Sequence, residues 1–355
     1  MKKKILLRSY VDGNMDCLYD YYNKNLKEKY KDEYKVILHK HGGNKKVSIY
    51  FNKIKEYFSK YHIFMSDYTS TLYGKGKYNI YMSHGYGTKM TPGLDEIKKD
   101  EVMNVYKIMR EKLDYIITLS KRDESYFFKS KWLNQYKEPK YLPLGLPRND
   151  ELFNKENIYK KNKSFREKFC KNNEKVILYC PTWRDYNIDK DIFDLENLKK
   201  LDKFLEKNNC KLFYRAHYLK SIINIEILNK MNNIELLGFD KEPFIQNILC
   251  AADILITDYS SVFVDYLIMN KPIIFFIFDL EVYKDSRGLV IDFNKNEDTP
   301  GKKVKSIEEL ILSLEEYIKN NNLDNDIRKK AMDNFYKYKD SNSSKRIWEL
   351  ILSLK

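Results

Sequence analysis

Residues 253–262 of this chain read DILITDYSSV, and this stretch indicates the fold more clearly than any other. The apolar run at 254–256 has the length and composition of a buried strand. The polar turn after it carries the adjacent serines Ser260 and Ser261, and a second apolar run resumes at residue 263. A buried strand that leads through a tight turn into a helix is the basic unit of a parallel α/β sheet. Such a turn presents N–H groups, hydroxyls and the positive end of a helix dipole, which suit a phosphate oxygen.

The length and composition of the chain limit its class. At 355 residues the chain is too long for one hydrophobic core, and two domains of roughly 150–180 residues are expected. Its 43% hydrophobic and 15% aromatic content exclude a disordered protein. The net charge of +14 is expected to attract anions such as nucleotides, nucleic acid or acidic lipid headgroups. The charge is spread along the chain, which disfavours a dedicated nucleic-acid tail.

The cysteines and the apolar runs indicate the cellular compartment of the protein. The five cysteines form no CxxC pair and no cluster with histidine, so they are interpreted as reduced, mostly buried thiols of a cytosolic protein. The apolar run at residues 5–7 is far too short for a signal peptide, and no segment reaches the roughly 18 apolar residues of a membrane-spanning helix. The sequence predicts a protein that is soluble or bound peripherally to the cytoplasmic face of a membrane.

Apolar strands alternate with amphipathic helical stretches in both halves of the chain. Strands are predicted at residues 4–8, 35–39, 62–65, 78–83, 115–119 and 141–144, and then at 175–180, 211–215, 234–237, 253–257 and 272–276. This alternation predicts two Rossmann-like domains, each a parallel sheet with helices on both faces. Glycine and proline at residues 145–150 mark the expected linker. A ligand is expected in the cleft between the domains, at the carboxyl ends of the strands.

Polar residues follow the predicted strands at this ligand-binding edge. In the first half His84 follows a strand on a glycine-rich turn, with Lys89 close behind. In the second half a cation or a hydroxyl follows three of the strands: Arg184, Arg215, His217, Ser260 and Ser261. Arginine suits phosphate because its planar fork makes paired, charge-assisted hydrogen bonds. Each residue alone has an ordinary explanation as an ion pair, a helix cap or a structural histidine. Their occurrence at successive strand ends predicts a phosphate-binding site.

Several strings in the chain, taken together, resemble those of one family. They are SHGYGTK from residue 83, LPLGLPRND from 142, CPTWRD from 180, YRAHY from 214, ITDYSSVFVDYLIMNKPIIFF from 256 and YKDSRGLVIDF from 283. They resemble the CDP-glycerol glycerophosphotransferases, which build the polyol-phosphate chains of teichoic acids and related capsular polymers. The resemblance implies a GT-B fold, with two Rossmann-like domains that face each other across a cleft. It implies an acceptor-side domain at residues 1–148 and a domain at residues 149–355 that binds the CDP-alcohol, with the last helix packed back on the first domain.

The resemblance also implies a reaction and the residues that perform it. Glycerol phosphate is transferred from CDP-glycerol to the terminal hydroxyl of an undecaprenyl-linked or polymer acceptor, and CMP is released. His84 matches the family histidine proposed as the general base, while Arg215 and His217 match an Arg-x-His motif expected to contact the donor pyrophosphate. Lys89 lies on the acceptor side. The remaining family positions are expected to bind the donor or its phosphates: Arg184, Asp185, Ser260, Ser261, Asp265 and Arg287.

The sequence predicts no tightly bound metal and leaves the alcohol of the donor open. Phosphoryl transfer relies on positioning and charge neutralisation, and the sequence shows no carboxylate cluster with metal spacing. No tightly bound metal is therefore expected, while a divalent cation held loosely by the donor is compatible with the reaction. Ser83 stands where the family has tryptophan, and Ala216 stands where proline is common. These departures leave CDP-ribitol or another CDP-alcohol open as the donor, and they leave both primase and polymerase activity open.

Two other classes of function stay open at this point. A GT-B glycosyltransferase would use a UDP- or GDP-sugar, and a non-catalytic protein would bind an anionic polymer without chemistry. Dispersed charge and strand-end polar groups favour a small-molecule site, so no nucleic-acid partner is expected. A lipid-linked acceptor implies peripheral attachment to the inner face of the cell membrane. The aromatic and basic residues at 125–136 are a candidate contact, although such spacing more often packs a helix on its own sheet.

Overall fold

The computed structural model describes residues 2–9, 13–40, 59–68, 73–83, 85–126, 137–171, 173–184, 186, 190–216 and 222–355. The chain divides into two units, each with its own parallel sheet. Unit 1 consists of Met1–Asp150 together with Phe335–Lys355, and unit 2 consists of Glu151–Asn334. Unit 1 is therefore built from two separate stretches of the chain.

The described residues of unit 1 form a six-stranded sheet in the order β2-β1-β3-β4-β5-β6. The strands are β1 (Lys3–Ser9), β2 (Tyr34–Lys40), β3 (Tyr61–Ser66), β4 (Gly76–Met82), β5 (Tyr115–Ile117) and β6 (Lys140–Leu142). The helices described in this unit are α1 (Asn14–Asn25), α2 (Lys27–Tyr30), α3 (Asp100–Lys112), α4 (Lys121–Tyr126) and, near the end of the chain, α13 (Ser343–Ser353). The strands predicted for the first half are confirmed, and their ends differ from the prediction by at most two residues.

The described residues of unit 2 form a second parallel sheet, in the order β12-β11-β10-β7-β8-β9. The strands are β7 (Lys175–Cys180), β8 (Cys210–Tyr214), β9 (Ile234–Leu236), β10 (Ile254–Thr257), β11 (Ile273–Phe276) and β12 (Lys302–Val304). The helices are α5 (Lys155–Phe169), α6 (Leu195–Lys207), α7 (Ile225–Leu228), α8 (Ile245–Ala251), α9 (Val262–Tyr266), α10 (Leu280–Arg287), α11 (Ile307–Lys319) and α12 (Asn325–Phe335), whose last residue falls in unit 1. The strands predicted for the second half are confirmed to within one residue, and β12 was not predicted.

The apolar runs of the central strands explain why both sheets are parallel and covered on two faces. Every residue of β10 and β11 is buried, as are Ile5, Leu6 and Leu7 in β1. Consecutive buried residues, without polar alternation, are typical of strands that pack helices on both sides. Because every described strand pair in unit 2 is parallel, the carboxyl ends of its strands share one edge. We call this edge, which carries the residues that follow β7 to β11, the carboxyl edge.

Helix α13 is attached to the rest of unit 1 through a buried tryptophan. Trp348 is 1% exposed, and its ring stacks on that of Tyr22 in α1 with centroids 5.1 Å apart. Its indole N–H donates to the carbonyl of Leu18 at 2.9 Å. At the start of the helix, the carboxylate of Asp150 accepts the N–H groups of Ser343 and Ser344, both at 2.8 Å. The final helix is therefore an integral part of unit 1.

Most of the cysteine thiols are buried, and burial changes their acidity. All five cysteines are free, and Cys180, Cys210 and Cys250 are buried. Burial raises the pKa of Cys180 to about 12, so its thiol stays protonated at neutral pH. Within the described ranges, none of the helices has both the length and the apolar character needed to cross a bilayer.

Candidate functional site

Three charged side chains meet at the carboxyl edge of unit 2. Arg184 follows β7, Asp258 follows β10 and Asp279 follows β11, and these strands are consecutive in the sheet order. The side chains are 1%, 0% and 10% exposed, respectively. Charges buried this deeply are tolerated only when they are paired and hydrogen-bonded.

The Arg184 guanidinium binds both carboxylates. Its Nε–H and one Nη2–H donate to the two oxygens of Asp279, each at 2.8 Å. Its Nη1 donates to Asp258 Oδ2 at 2.7 Å and to the carbonyl of Thr182 at 2.5 Å. Burial acts to lower the pKa of Arg184, but the charges of Asp258 and Asp279 outweigh it and raise the pKa above its ordinary value. The guanidinium therefore stays charged in the interior.

The two carboxylates are satisfied by further donors. Asp258 accepts the N–H and the hydroxyl of Thr182, both at 2.8 Å, and the N–H of Tyr259 at 2.6 Å. Asp279 accepts the hydroxyls of Tyr259 at 2.8 Å and Tyr186 at 2.6 Å. Burial acts to raise the pKa of Asp279, but the hydrogen bonds and charge of Arg184 outweigh it and lower the pKa. We call Arg184, Asp258, Asp279 and the hydroxyls of Tyr186 and Tyr259 the buried ion cluster.

This geometry gives Arg184 a role that the sequence did not suggest. Four of its five N–H donors are used within the protein, so it has little capacity left for a phosphate. The arrangement favours a role in holding the loops after β7, β10 and β11 together, and direct contact with a donor stays a prediction. Sequence reasoning missed Asp279, although it follows an apolar strand in the same way as Asp258 does.

Arg215, which follows β8, has a different environment. Its Nη1 donates to the carbonyls of Leu237 at 3.0 Å and Gly238 at 2.8 Å, and its Nη2 donates to that of Pro243 at 3.2 Å. Its guanidinium carbon lies 3.7 Å from the centre of the Phe239 ring. Among the described residues, no carboxylate forms an ion pair with it. Burial lowers the pKa of this arginine, and the charges of Glu242 and Asp240, which form no ion pair with it, offset that effect only in part.

The serine turn lies directly after Asp258. Helix α9 begins at Val262, so Ser261 is its N-cap and Ser260 precedes it, whereas the sequence suggested that the helix begins with both serines. The Ser260 hydroxyl accepts the N–H of Val262 at 3.3 Å, and the Ser261 side chain makes no capping bond. Both serines are half-buried. The turn is thus placed next to the buried ion cluster, at the same edge as Arg215.

The two remaining donor-site candidates of unit 2, Asp265 and Arg287, follow the serine turn in the chain. Asp265, in α9, is 1% exposed and has partners within the protein. Arg287 is half-buried in the last turn of α10, and its guanidinium carbon lies 5.9 Å from the ring centre of Trp183. Trp183 is adjacent in sequence to Arg184, so the structure brings Arg287 near the loop after β7. Asp265 lies in the first turn of α9, and its role in the donor site stays a prediction.

The turn after β4 in unit 1 is held by two buried polar residues. Asn14 is 1% exposed, and its Nδ2 donates to the carbonyl of Ser83 at 2.9 Å. Asp123 is 3% exposed, and its Oδ1 accepts the N–H of Gly87 at 3.5 Å. These contacts anchor the chain on both sides of His84. Sequence reasoning missed Asn14 and Asp123 because they lie 69 and 36 positions from their partners in the chain.

Several predicted site residues lie outside the described part of the chain. These are His84, Asp185 and His217, and their proposed roles stay predictions. Lys89 is described as a half-buried residue of unit 1 with partners in the protein. Most of the aromatic segment at 125–136 is also outside the described residues. In the ranges that are described, no group of three or more His, Cys, Asp or Glu is arranged to hold a metal ion.

The family model of the CDP-glycerol:poly(glycerophosphate) glycerophosphotransferases matches residues 1–353. The chain belongs to this family. The match confirms both the family resemblance and the predicted enzyme class. Among solved structures, that of the wall teichoic acid polymerase TagF has a TM-score of 0.77 at 22% identity, covering 99% of this chain and 88% of the other. This likeness confirms a two-domain, GT-B-like fold.

Curated relatives act in teichoic acid synthesis. A teichoic acid poly(glycerol phosphate) polymerase of Bacillus spizizenii is 29% identical over 386 aligned positions, covering 99% of this chain and 92% of the relative. A teichoic acid glycerol-phosphate primase of Bacillus subtilis is 28% identical over 292 positions, covering 78% and 68%. The teichoic acid ribitol-phosphate polymerase TarL of Staphylococcus aureus is 29% identical over 215 positions, covering 59% of this chain and only 37% of that relative.

Proposed function

We propose that the protein transfers glycerol phosphate from CDP-glycerol to the terminal hydroxyl of a lipid-linked or polymer acceptor and releases CMP, in the synthesis of teichoic acid or a related capsular polymer. Arg215 carries the proposal, because it is a buried cation without a carboxylate partner among the described residues. A donor pyrophosphate at the carboxyl edge would supply an anion that binds the guanidinium directly. The family match supports this donor, as does a structure of TagF soaked with CDPG.

The proposed reaction assigns one task to each group. His84 takes the proton from the acceptor hydroxyl as its oxygen attacks the phosphorus of the glycerol phosphate. The bond between that phosphorus and the bridging oxygen breaks, and the electron pair leaves with CMP. Arg215 and His217 stabilise the negative charge that develops on CMP, and Ser260 and Ser261 bind a phosphate oxygen.

The deciding experiment measures CMP release with a lipid-linked glycerol-phosphate acceptor and three donors in parallel. CDP-glycerol is expected to be turned over faster than CDP-ribitol, and UDP-glucose is expected to be inert. Faster release from CDP-ribitol would change the polyol and keep the reaction class. Turnover of UDP-glucose alone would favour a glycosyltransferase, and binding of anionic polymer without any turnover would favour a non-catalytic protein. The length of the product, measured by mass spectrometry, separates a primase from a polymerase.

Arg215→Lys is expected to lower kcat/KM for CDP-glycerol by about 10-fold to 100-fold. Lysine keeps the positive charge but loses the planar fork that holds two groups at once. Steady-state CMP release checks this value. Arg166→Lys is the matched control, because Arg166 pairs with Asp253 before β10, away from the carboxyl edge. An equal loss in both variants would count against a role of Arg215 in donor binding.

We propose that no tightly bound metal takes part in the reaction. CMP release after treatment with a chelator and desalting is expected to stay within about twofold of the untreated enzyme. A loss that added magnesium restores would instead indicate a divalent cation held loosely with the donor. A metal that remains bound in stoichiometric amount after chelation, measured by elemental analysis, would contradict the proposal.

We propose that the protein works at the inner face of the cell membrane as a peripheral protein. The lipid-linked acceptor supports this location, because such a lipid stays in the bilayer. The net charge of +14 supports it as well, since acidic headgroups attract a basic surface. Co-sedimentation with vesicles that contain acidic lipid is expected, and it should weaken as the salt concentration rises.

A further inference from the structure

Asp279 has no free capacity to act as a base or as a ligand. It lies beyond the end of β11, and its side chain is 10% exposed. Its Oδ1 accepts hydrogen bonds from Arg184 Nη2 and from the hydroxyl of Tyr259, both at 2.8 Å. Its Oδ2 accepts them from Arg184 Nε at 2.8 Å and the hydroxyl of Tyr186 at 2.6 Å. Each oxygen thus has two donors, so the carboxylate serves the protein rather than a substrate.

The bonds of Asp279 lead to the serine turn by two routes. Through Arg184 they reach Asp258, which accepts the N–H of Tyr259 at 2.6 Å. The second route is direct, because Asp279 itself accepts a hydrogen bond from the hydroxyl of Tyr259. Tyr259 is therefore held at both its backbone and its side-chain end, and it immediately precedes Ser260 in the chain. A residue fixed at both ends determines where the next peptide begins.

Aromatic packing restricts this arrangement further. The ring of Tyr259 stacks on that of Tyr283, with centroids 4.0 Å apart and planes inclined by 22°. The guanidinium carbon of Arg184 lies 4.9 Å from the centre of the first ring and 5.1 Å from the second. A cation near stacked tyrosine rings is attracted by their π-electrons, so the ring of Tyr259 has little freedom to turn.

We propose that Asp279 is a positioning residue for the donor. Through Arg184 and Tyr259 it fixes the turn at Ser260 and Ser261, and so sets the affinity for the diphosphate of the donor without touching it. This inference rests on the proposed function, because it takes a cytidine diphosphate group as the ligand of the turn. It extends that function to a residue outside every motif in the sequence.

The sign of the effect separates positioning from simple electrostatics. Asp279→Asn removes a negative charge close to the turn, and by Coulomb attraction alone this would strengthen the binding of an anion. Positioning predicts the opposite, because asparagine keeps one acceptor oxygen and breaks the paired contact with Arg184. Weaker binding of CDP by Asp279→Asn therefore cannot be explained by the loss of the charge and indicates a loss of positioning.

The test measures binding of CDP by titration calorimetry in the full chain without acceptor. Asp279→Asn is expected to raise the Kd about tenfold, and to raise KM for CDP-glycerol with a smaller change in kcat. Asp253→Asn is the control, since Asp253 also pairs with an arginine but lies before β10 rather than after the end of a strand. The control is expected to leave the Kd within about twofold, and to lower the melting temperature less than Asp279→Asn does, because Asp253 is 32% exposed.

Each outcome decides the inference. An unchanged or tighter Kd in Asp279→Asn overturns it, and so does equal weakening in Asp253→Asn or the absence of CDP binding by the wild type. If Asp279→Asn fails to fold, Tyr259→Phe takes its place, because it removes only the hydroxyl bound to Asp279. It is expected to raise the Kd about threefold, and an unchanged Kd overturns the inference. Weaker CDP binding in these variants without wild-type turnover of any CDP-alcohol would sustain the inference and refute the proposed function.

Discussion

Acceptor-dependent CMP release is expected to fall by about 10²-fold to 10⁴-fold in His84→Ala, because alanine cannot take the proton of the attacking hydroxyl. The loss should appear in kcat, measured at saturating CDP-glycerol and acceptor. Affinity for CDP should change little, since His84 is proposed to act on the acceptor. Asn14 and Asp123 hold the chain at Ser83 and Gly87, on either side of the substituted position.

His39→Ala is the control for the loss of a histidine as such. His39 lies in β2 of the same unit and has no proposed role in the reaction. Its variant is expected to keep kcat within about twofold of the wild type. If His84→Ala retains more than a tenth of the wild-type kcat, the proton must go elsewhere, and the role carried over from the family does not apply.

Arg184→Met is expected to lower the free energy of unfolding by about 3–5 kcal/mol at pH 7. Methionine fills part of the space but leaves Asp258 and Asp279 buried without their cation. Urea unfolding followed by circular dichroism checks the value. Arg166→Met is the control, because its partner Asp253 is 32% exposed and water can replace the lost charge. The control is expected to cost about 1 kcal/mol or less.

The effect of Arg184→Met should also depend on pH. In the wild type the pKa of Asp279 is lowered, so its contribution to stability is present above the unfolded pKa and is lost as the pH falls through the folded one. In the variant, burial without a cation raises the folded pKa, so the penalty is full at neutral pH and shrinks as the carboxylate takes up a proton. The difference in the free energy of unfolding between the wild type and the variant should therefore be smaller at pH 5 than at pH 7. A gap that grows on acidification would show that the carboxylates are not the cause.

The strands could be predicted from the sequence because their apolar residues are consecutive and bounded by turns. The runs at 254–256 and 273–276 contain no polar residue that could face solvent, and the structure buries every residue in them. β12 could not be predicted, because its three residues include Lys302 and Lys303 and show no apolar pattern. Its place at the edge of the sheet is decided by pairing with β11, which is a tertiary contact.

The candidate site shows where local pattern is not enough. Arg184 and Arg215 follow neighbouring strands, and the sequence assigned both to the donor. Only the structure shows that Arg184 is paired with Asp279, which lies 95 positions further along the chain, while Arg215 has no such partner among the described residues. The positions of polar residues after predicted strands were enough to predict the edge and the residue types of the site. They could not show which arginine is already paired with carboxylates inside the protein.

The split of unit 1 into two stretches has a consequence for its synthesis. The ribosome completes all of unit 2 before it makes the segment 335–355, which carries Trp348. At about 5–20 residues per second, that segment takes roughly 1–4 s to make. During this interval Tyr22 lacks the indole that covers it in the finished protein. The nascent chain thus has an exposed apolar face on α1 until the segment 335–355 has been made, and a chaperone has its best opportunity to bind there before that point.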